Sequence, residues 1–512
     1  MSPIRAAFAR VPDLLGQHLL LAMSALALGI LISLPLGVWS ARRPAVARIA
    51  LGFASFIQTI PSLALLALFF PLLLSLSTLV GGGIPALGFL PSLLALTLYA
   101  ILPILRNGVT GLNTLDPAAI EAADGVGMTG WQKLRLVEAP LVAPVLMAGI
   151  RTAAVWTIGA ATLSTTVGQP SLGDMIFAGL QTQNWPLVLV GCFAAAALAL
   201  FVDWMLWLVE IGIEKRRRGL AWLAAAILLI GLAIALAPQL VPHRQRVIIG
   251  AKGFSEQYIL ARLIGHRLQA AGYDVEYREG LGSVVAFSAT AADNVDVYVE
   301  YSGTVWSNEM GRSPGASRDA IVRGVADWAE REHHVRMLGK LGFENTYAFA
   351  MRGDDAKRRG IASITDLARQ APQLKLASDI EFLDRPEWRA VRDAYGLRFA
   401  SAQPYQPTFM YRALMSGAAD VIPAFSSDGR IAADHLAVLS DPKGAIPGYD
   451  AILMVAPRRA HDDKFLAAIG PLVGHIPVEA MREANYMVDR DANQATPDEA
   501  ADWLAKRIGL AR

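Results

Sequence analysis

Between Arg48 and Arg106 the sequence contains not one Asp, Glu, Lys or Arg. A chain that long without charge has no polar face to offer water. Core helices of soluble proteins interrupt their apolar positions every few residues, whereas a helix crossing the hydrocarbon layer needs about 20 apolar residues in a row. Residues 14–41, 152–173, 175–202 and 219–242 are likewise free of Asp, Glu, Lys and Arg. Six membrane spans are therefore expected near 17–41, 48–73, 84–105, 139–163, 186–210 and 219–238. Residues 1–218 hold only 22 of the chain's 90 charged side chains, so the remainder of the 512 residues must fold in water.

Lys and Arg accumulate in loops on the cytoplasmic side. Arg42, Arg43 and Arg48 follow span 1, Arg106, Lys133 and Arg135 lie between spans 3 and 4, and Lys215 to Arg218 follow span 5. Loops 74–83 and 164–185 carry none, and only Arg5 and Arg10 disagree. The N-terminus is thus expected outside, as a retained anchor, and everything beyond about 243 is extracytoplasmic. Within the spans, Gln58 and Thr59 before Pro61 suit either a transport pathway or interhelical hydrogen bonds. Asp203 must face protein or the cytoplasmic end of its span.

A net charge of +2, with no basic stripe interleaved with aromatics, argues against nucleic acid as a partner. The single cysteine, Cys192, excludes an intrachain disulfide, and the histidines are too scattered to suggest a metal site. Beyond about 246 the pattern alternates strands and helices: strands at 247–250, 274–277, 296–300, 346–351, 374–378, 419–423, 436–439 and 451–456, with helices near 255–271 and 283–292. This is α/β patterning with a largely parallel sheet. Two lobes are expected, 245–350 with 456–512 and 351–455, with a ligand in the cleft between them. The chain lacks G-x-S-x-G and H-E-x-x-H, so an enzyme is not expected.

The longest cytoplasmic loop, 106–138, contains Gly125-Val126-Gly127-Met128-Thr129-Gly130, which satisfies G-x-G-x-x-G. It follows the helix-forming run Pro117–Asp124 and lies between spans, so it is not a nucleotide fingerprint. Asp116 and Pro117 are instead a helix N-cap and first turn. Glu121, Ala122 and Ala123, with Gly125, Gly127 and Pro140, resemble the loop by which ABC importer permeases dock their ATPase. The runs 148–155 and 159–163 are similar to permeases of the glycine betaine, carnitine and choline branch. The resemblance implies a type I ABC importer permease over 1–218, with 219–244 as sixth span and linker, assembled as a homodimer. No P-loop occurs, so ATP is bound by a separate ATPase subunit and this chain holds no cofactor.

The second half resembles the binding proteins of the same importers, in the runs 250–257, 299–304, 345–348, 378–385 and 425–430. The resemblance implies a two-lobed periplasmic-binding-protein-like domain over 245–512, fused to its own permease in a bacterial inner membrane. A quaternary ammonium has no proton to donate and is held by ring faces. Tyr301, Tyr347, Phe425 and Tyr449 fall at strand ends and are the expected cage. The helix start at Ser255, with Gln257 or Thr304, would receive a betaine carboxylate, and Arg385 is a further candidate. Phe425 stands where the family often carries Tyr, and Ser302 and Ser427 where Thr is common. The ligand stays open among glycine betaine, choline, carnitine, proline betaine and ergothioneine. A membrane-anchored sensor that transports nothing is the rival reading, and the ATPase-docking loop speaks against it.

Overall fold

The computed structural model describes residues 3–80, 84–181, 184–240, 246–312, 316–379, 382–405, 407–490 and 493–510. Ile380 and Glu381 of the 378–385 run, and 241–245 of the linker, lie outside them. The chain forms two compact units, 1–176 with 186–242 and 177–185 with 243–512. The sixth span thus belongs to the membrane unit, beyond the expected limit at 218.

The membrane unit comprises α1 (Pro3–Arg42), α2 (Pro44–Thr59), α3 (Ser62–Leu79), α4 (Phe89–Asn113), α5 (Pro117–Gly125), α6 (Gly130–Lys133), α7 (Ala139–Ala161), α8 (Gly173–Gln181), α9 (Trp185–Glu214) and α10 (Arg218–Leu240). Among the described residues, five segments are long and apolar enough to cross a membrane, and six if α2 and α3, bent by 102° at their junction, form one broken span. The expected placing of Arg42–Arg48 and Arg106 on one side of the membrane fits the bent pair as one broken span. Pro61 lacks the N–H that would continue the helix. Gln58 donates to the carbonyl of Tyr99 at 3.3 Å, and the Tyr99 hydroxyl caps the carbonyl of Ile60. Gln58 therefore serves interhelical hydrogen bonding, whereas the Thr59 hydroxyl donates to the Phe56 carbonyl of its own helix. Asp203 faces protein: both its oxygens accept from Arg151 of α7 at 2.9 Å, and Glu210 accepts from the same guanidinium.

The second unit contains β1 (Arg246–Lys252), β2 (Asp274–Leu281), β3 (Val297–Tyr301), β4 (Arg336–Glu344), β5 (Tyr347–Arg352), β6 (Lys375–Asp379), β7 (Ser401–Tyr405), β8 (Ile422–Phe425), β9 (Leu436–Val438) and β10 (Asp450–Val455). Lobe 1 is the sheet β2-β1-β3-β10-β4, and its inner strands β3 and β10 are buried along their whole length. Lobe 2 carries β8-β5-β9 and the pair β6-β7. The expected strands are present with ends shifted by a few residues, but the sheets are mixed. β2, β1 and β3 run parallel, whereas β10 is antiparallel to both β3 and β4. The cause is connectivity, since β10 re-enters lobe 1 from lobe 2 beside the strand that left it.

The lobe boundaries correct the expectation. β5 pairs in lobe 2 and β10 in lobe 1, so the crossings fall at 345–346 and 449 instead of 350 and 456. They run side by side, the Asn345 N–H donating to the Tyr449 carbonyl at 3.0 Å.

Candidate ligand-binding site and exposed membrane-unit loop

Strand β1 ends at Lys252, and Phe254 in extended conformation starts α11 (Ser255–Ala270). This turn delivers Phe254, Ser255, Glu256 and Gln257 to the end of the lobe 1 sheet, where β3 delivers Tyr301. Lobe 2 contributes Tyr347 at the start of β5 and Phe425, its register partner, at the end of β8. Five rings form a continuous cluster. Phe254 and Phe425 lie parallel, 3° apart in plane, with centroids separated by 6.2 Å. Tyr301 stacks on Phe254 at 6.2 Å, Tyr347 meets Phe425 at 5.1 Å, and Tyr449 meets Tyr347 edge-on at 6.1 Å. The four rings expected from the sequence are in contact, Tyr301 through a fifth, Phe254, that was not singled out, but of the four only Phe425 lines the adjoining cavity.

A cavity of about 50 Å³ opens beside these rings, lined in part by Phe254, Phe425, Glu256, Asn345, Asn485 and Arg430. Glu256 is its anchor. Its carboxylate accepts from the Tyr301 hydroxyl at 2.6 Å, from Asn345 at 3.0 Å, from Asn485 at 2.9 Å and from the Ser427 hydroxyl. Burial pushes the Glu256 carboxyl up, and these donors oppose that rise by favouring the anion. Burial together with the Glu256 charge raises the Tyr301 phenol well above its ordinary range, so it remains a donor. Beside Tyr301, Lys252 and Glu300 form a buried ion pair, with the ammonium 5.2 Å from the ring centroid.

The expected carboxylate partners need revision. Gln257 is consumed internally: its amide nitrogen donates to the Val299 carbonyl and the Tyr301 hydroxyl, both at 3.0 Å, and its oxygen accepts from the Lys252 N–H. It positions Tyr301 and is not available to a ligand. The hydroxyl of Ser255 donates to Asp489, so with Glu256 the α11 start already faces two carboxyl groups, which disfavour a third. Thr304 is buried in the short turn Ser302–Thr304 and does not line the cavity. Arg385 stacks over the Tyr347 ring at 5.7 Å. The cation that does line the cavity is Arg430, 7% exposed, with its guanidinium 3.3 Å from the Asp489 carbonyl.

The two lobes meet closely at Gly429, where a β-carbon would sit 2.4 Å from Cβ of Tyr486 and 2.6 Å from the Arg482 carbonyl oxygen. Asn485 and Arg482, on the helix Val478–Asp489, donate at 2.9 Å to the carbonyls of Ser427 and Ser426. Phe254, Glu256, Asn345, Ser427 and Arg430 all lie in runs that carried the sequence resemblance. Asn485 and Asp489 lie in none, and no local signal marked them.

In the membrane unit, Asp116 caps α5 by accepting from the Ala118 N–H at 2.9 Å. Glu121, Ala122, Gly125 and Gly127 are exposed, and Ala123 is buried against the unit. Gly127 has φ +74°, a left-handed turn with open space around it, and Val126 and Trp131 beside it are more than two-thirds exposed. Thr129 and Gln132 form a capping box that starts α6. The π-helical turn Leu134–Glu138 leads into α7, with Glu138 held by both oxygens to Arg42 of α1.

A helical membrane unit with an exposed loop, joined to a two-lobed binder with an aromatic cleft, defines the class: a permease and substrate-binding domain of an ABC importer in one chain. The family model for the substrate binding domain of ABC-type glycine betaine transport systems matches residues 245–506, and that for the binding-protein-dependent transport system inner membrane component matches 33–215. The chain belongs to this family, and is the fused membrane and binding subunit of an importer of betaine-type compounds. It is 28% identical over 475 residues to the ergothioneine transport permease/ergothioneine binding protein EgtU of Helicobacter pylori (strain G27), covering 89% of this chain and 83% of that one. Its membrane half is 40% identical over 195 residues to the glycine betaine/carnitine/choline transport system permease protein OpuCB of Bacillus subtilis (strain 168), covering 38% of this chain and 84% of the relative. Among solved structures, a glycine betaine/carnitine/choline ABC transporter is 25% identical, with a TM-score of 0.45 over 52% of this chain and 99% of that one.

Proposed function

We propose that the C-terminal domain captures a compound bearing a trimethylated nitrogen on the outer face of a bacterial inner membrane, and that the membrane unit of the same chain carries it inward. ATP hydrolysis on a separate ATPase subunit, docked at 121–131, drives the cycle, and two copies of this chain form the pathway. The observation that carries this reading is the parallel Phe254–Phe425 pair, flanked by Tyr301 and Tyr347. Ring faces attract a cation without requiring it to donate hydrogen bonds, each contact contributing about 0.5–2 kcal/mol once water is excluded. Arg430 is the partner for a ligand carboxylate, because it is the guanidinium that lines the cavity. The buried Glu256 adds a negative charge that favours the ligand's cationic end.

The reading is tested by titrating the purified full-length chain with carnitine, choline and ergothioneine, and repeating with Phe425→Ala. Loss of one desolvated ring face weakens binding by about tenfold. Unchanged affinity for every ligand that binds would overturn the cage.

A further inference from the structure

Asn345 and Asn485 stand on either side of the Glu256 carboxylate, 7% and 4% exposed, and each donates its side-chain N–H to it. Asn485 also donates to the Ser427 carbonyl at 2.9 Å. These contacts fix how both amides are turned, because the opposite orientation would press a carbonyl oxygen against a carboxylate that already accepts from Tyr301 and Ser427. The two amide oxygens are therefore directed away from Glu256, and among the described residues neither accepts a hydrogen bond. Both residues line the cavity beside Phe254 and Phe425. Buried polar atoms in folded proteins are almost always paired, and an acceptor left without a donor in a binding site discriminates against ligands that cannot supply one.

We infer that the ligand carries a hydrogen-bond donor in addition to its quaternary nitrogen, a hydroxyl or a ring N–H, which the side-chain oxygens of Asn345 and Asn485 accept. The inference rests on the proposed betaine reading and narrows it. Glycine betaine has no N–H or O–H at neutral pH and leaves both oxygens unpaired. Choline and carnitine bring a hydroxyl, and ergothioneine brings ring N–H.

Matched pairs test this on the full-length chain by calorimetric titration: carnitine against γ-butyrobetaine, choline against its methyl ether, and ergothioneine against its ring-N-methylated form. The donor-bearing member of whichever pair binds is tighter by about tenfold or more, the scale on which a buried unpaired acceptor is penalised. Asn345→Ala and Asn485→Ala bring that ratio toward one, while the donorless member loses less. Which pair shows the ratio separates a hydroxyl from a ring N–H. Ratios within twofold in the unaltered protein overturn the inference while leaving the betaine reading intact, and this comparison needs no variant to fold. Absence of binding by every quaternary compound would overturn both.

Discussion

At the scale of single residues, the site is held by groups a ligand need not touch. Lys252 and Glu300 are 5% and 1% exposed, so Lys252→Met leaves a buried carboxylate without its counter-charge, and such a loss costs about 3–5 kcal/mol. Calorimetry should show the second unit melting well below its normal temperature, whereas Lys252→Met with Glu300→Gln recovers much of the difference. Asp489 gives a pH signature. Burial, with the charges of Asp428 and Glu256, raises its carboxyl from 3.8 to about 6 against the pull of Arg430. The folded state then holds this proton more tightly than the unfolded chain, so its contribution to stability declines as pH rises from about 4 to 6. Unfolding temperatures of the unaltered chain should therefore fall relative to Asp489→Asn across that window, and parallel curves would refute the assignment. The rings Tyr301, Tyr347, Phe425 and Tyr449 were legible in the sequence because strand ends are where cleft residues must lie. Asn485 and Asp489 were not, because they reach the cleft from a C-terminal helix, 229 and 234 residues from their partners Glu256 and Ser255, and only tertiary packing brings them there.

Among the elements, the local geometry of the 116–131 loop was the most legible. Asp116 and Pro117 start α5 by ordinary capping chemistry, and the glycine at 127 is required by its left-handed turn. Glu121 is exposed and makes no part of the helix bundle's interior. Glu121→Lys should therefore leave ligand binding and thermal stability unchanged while reducing uptake by reconstituted vesicles supplied with the ATPase subunit to near background. Normal uptake would contradict docking at this loop. The bend between α2 and α3 was only half legible. Pro61 announced an interruption, but an angle of 102° depends on α4 satisfying Ile60 and Gln58 through Tyr99. The mixed sheet was missed for a related reason: strand direction follows from which lobe a strand returns to, and β10 reads locally like any other buried apolar run.

Across the whole molecule, charge is placed unevenly, with 22 of the 90 charged side chains in residues 1–218. The inner-loop Lys and Arg residues predict that Arg216→Cys, in a Cys192→Ser background, is shielded from a membrane-impermeant thiol reagent in intact cells, whereas the exposed Arg359→Cys is labelled. Labelling of position 216 alone would invert the topology and remove the capture step from the outer face. Two solvents for one chain were visible in composition, since only the second half has enough charge to cover a water-soluble surface.

On the proposed reading, this cleft selects a trimethylated nitrogen. The most direct test is to titrate the full-length chain with carnitine and ergothioneine, each beside the counterpart that carries a primary ammonium in place of the trimethylammonium. The comparison is demanding, because Glu256 and two amide oxygens are also what a primary ammonium would seek. A trimethylated compound is expected to bind at least about tenfold more tightly than its ammonium counterpart, as ring-face recognition requires. Equal or tighter binding of the primary ammonium compounds would contradict it.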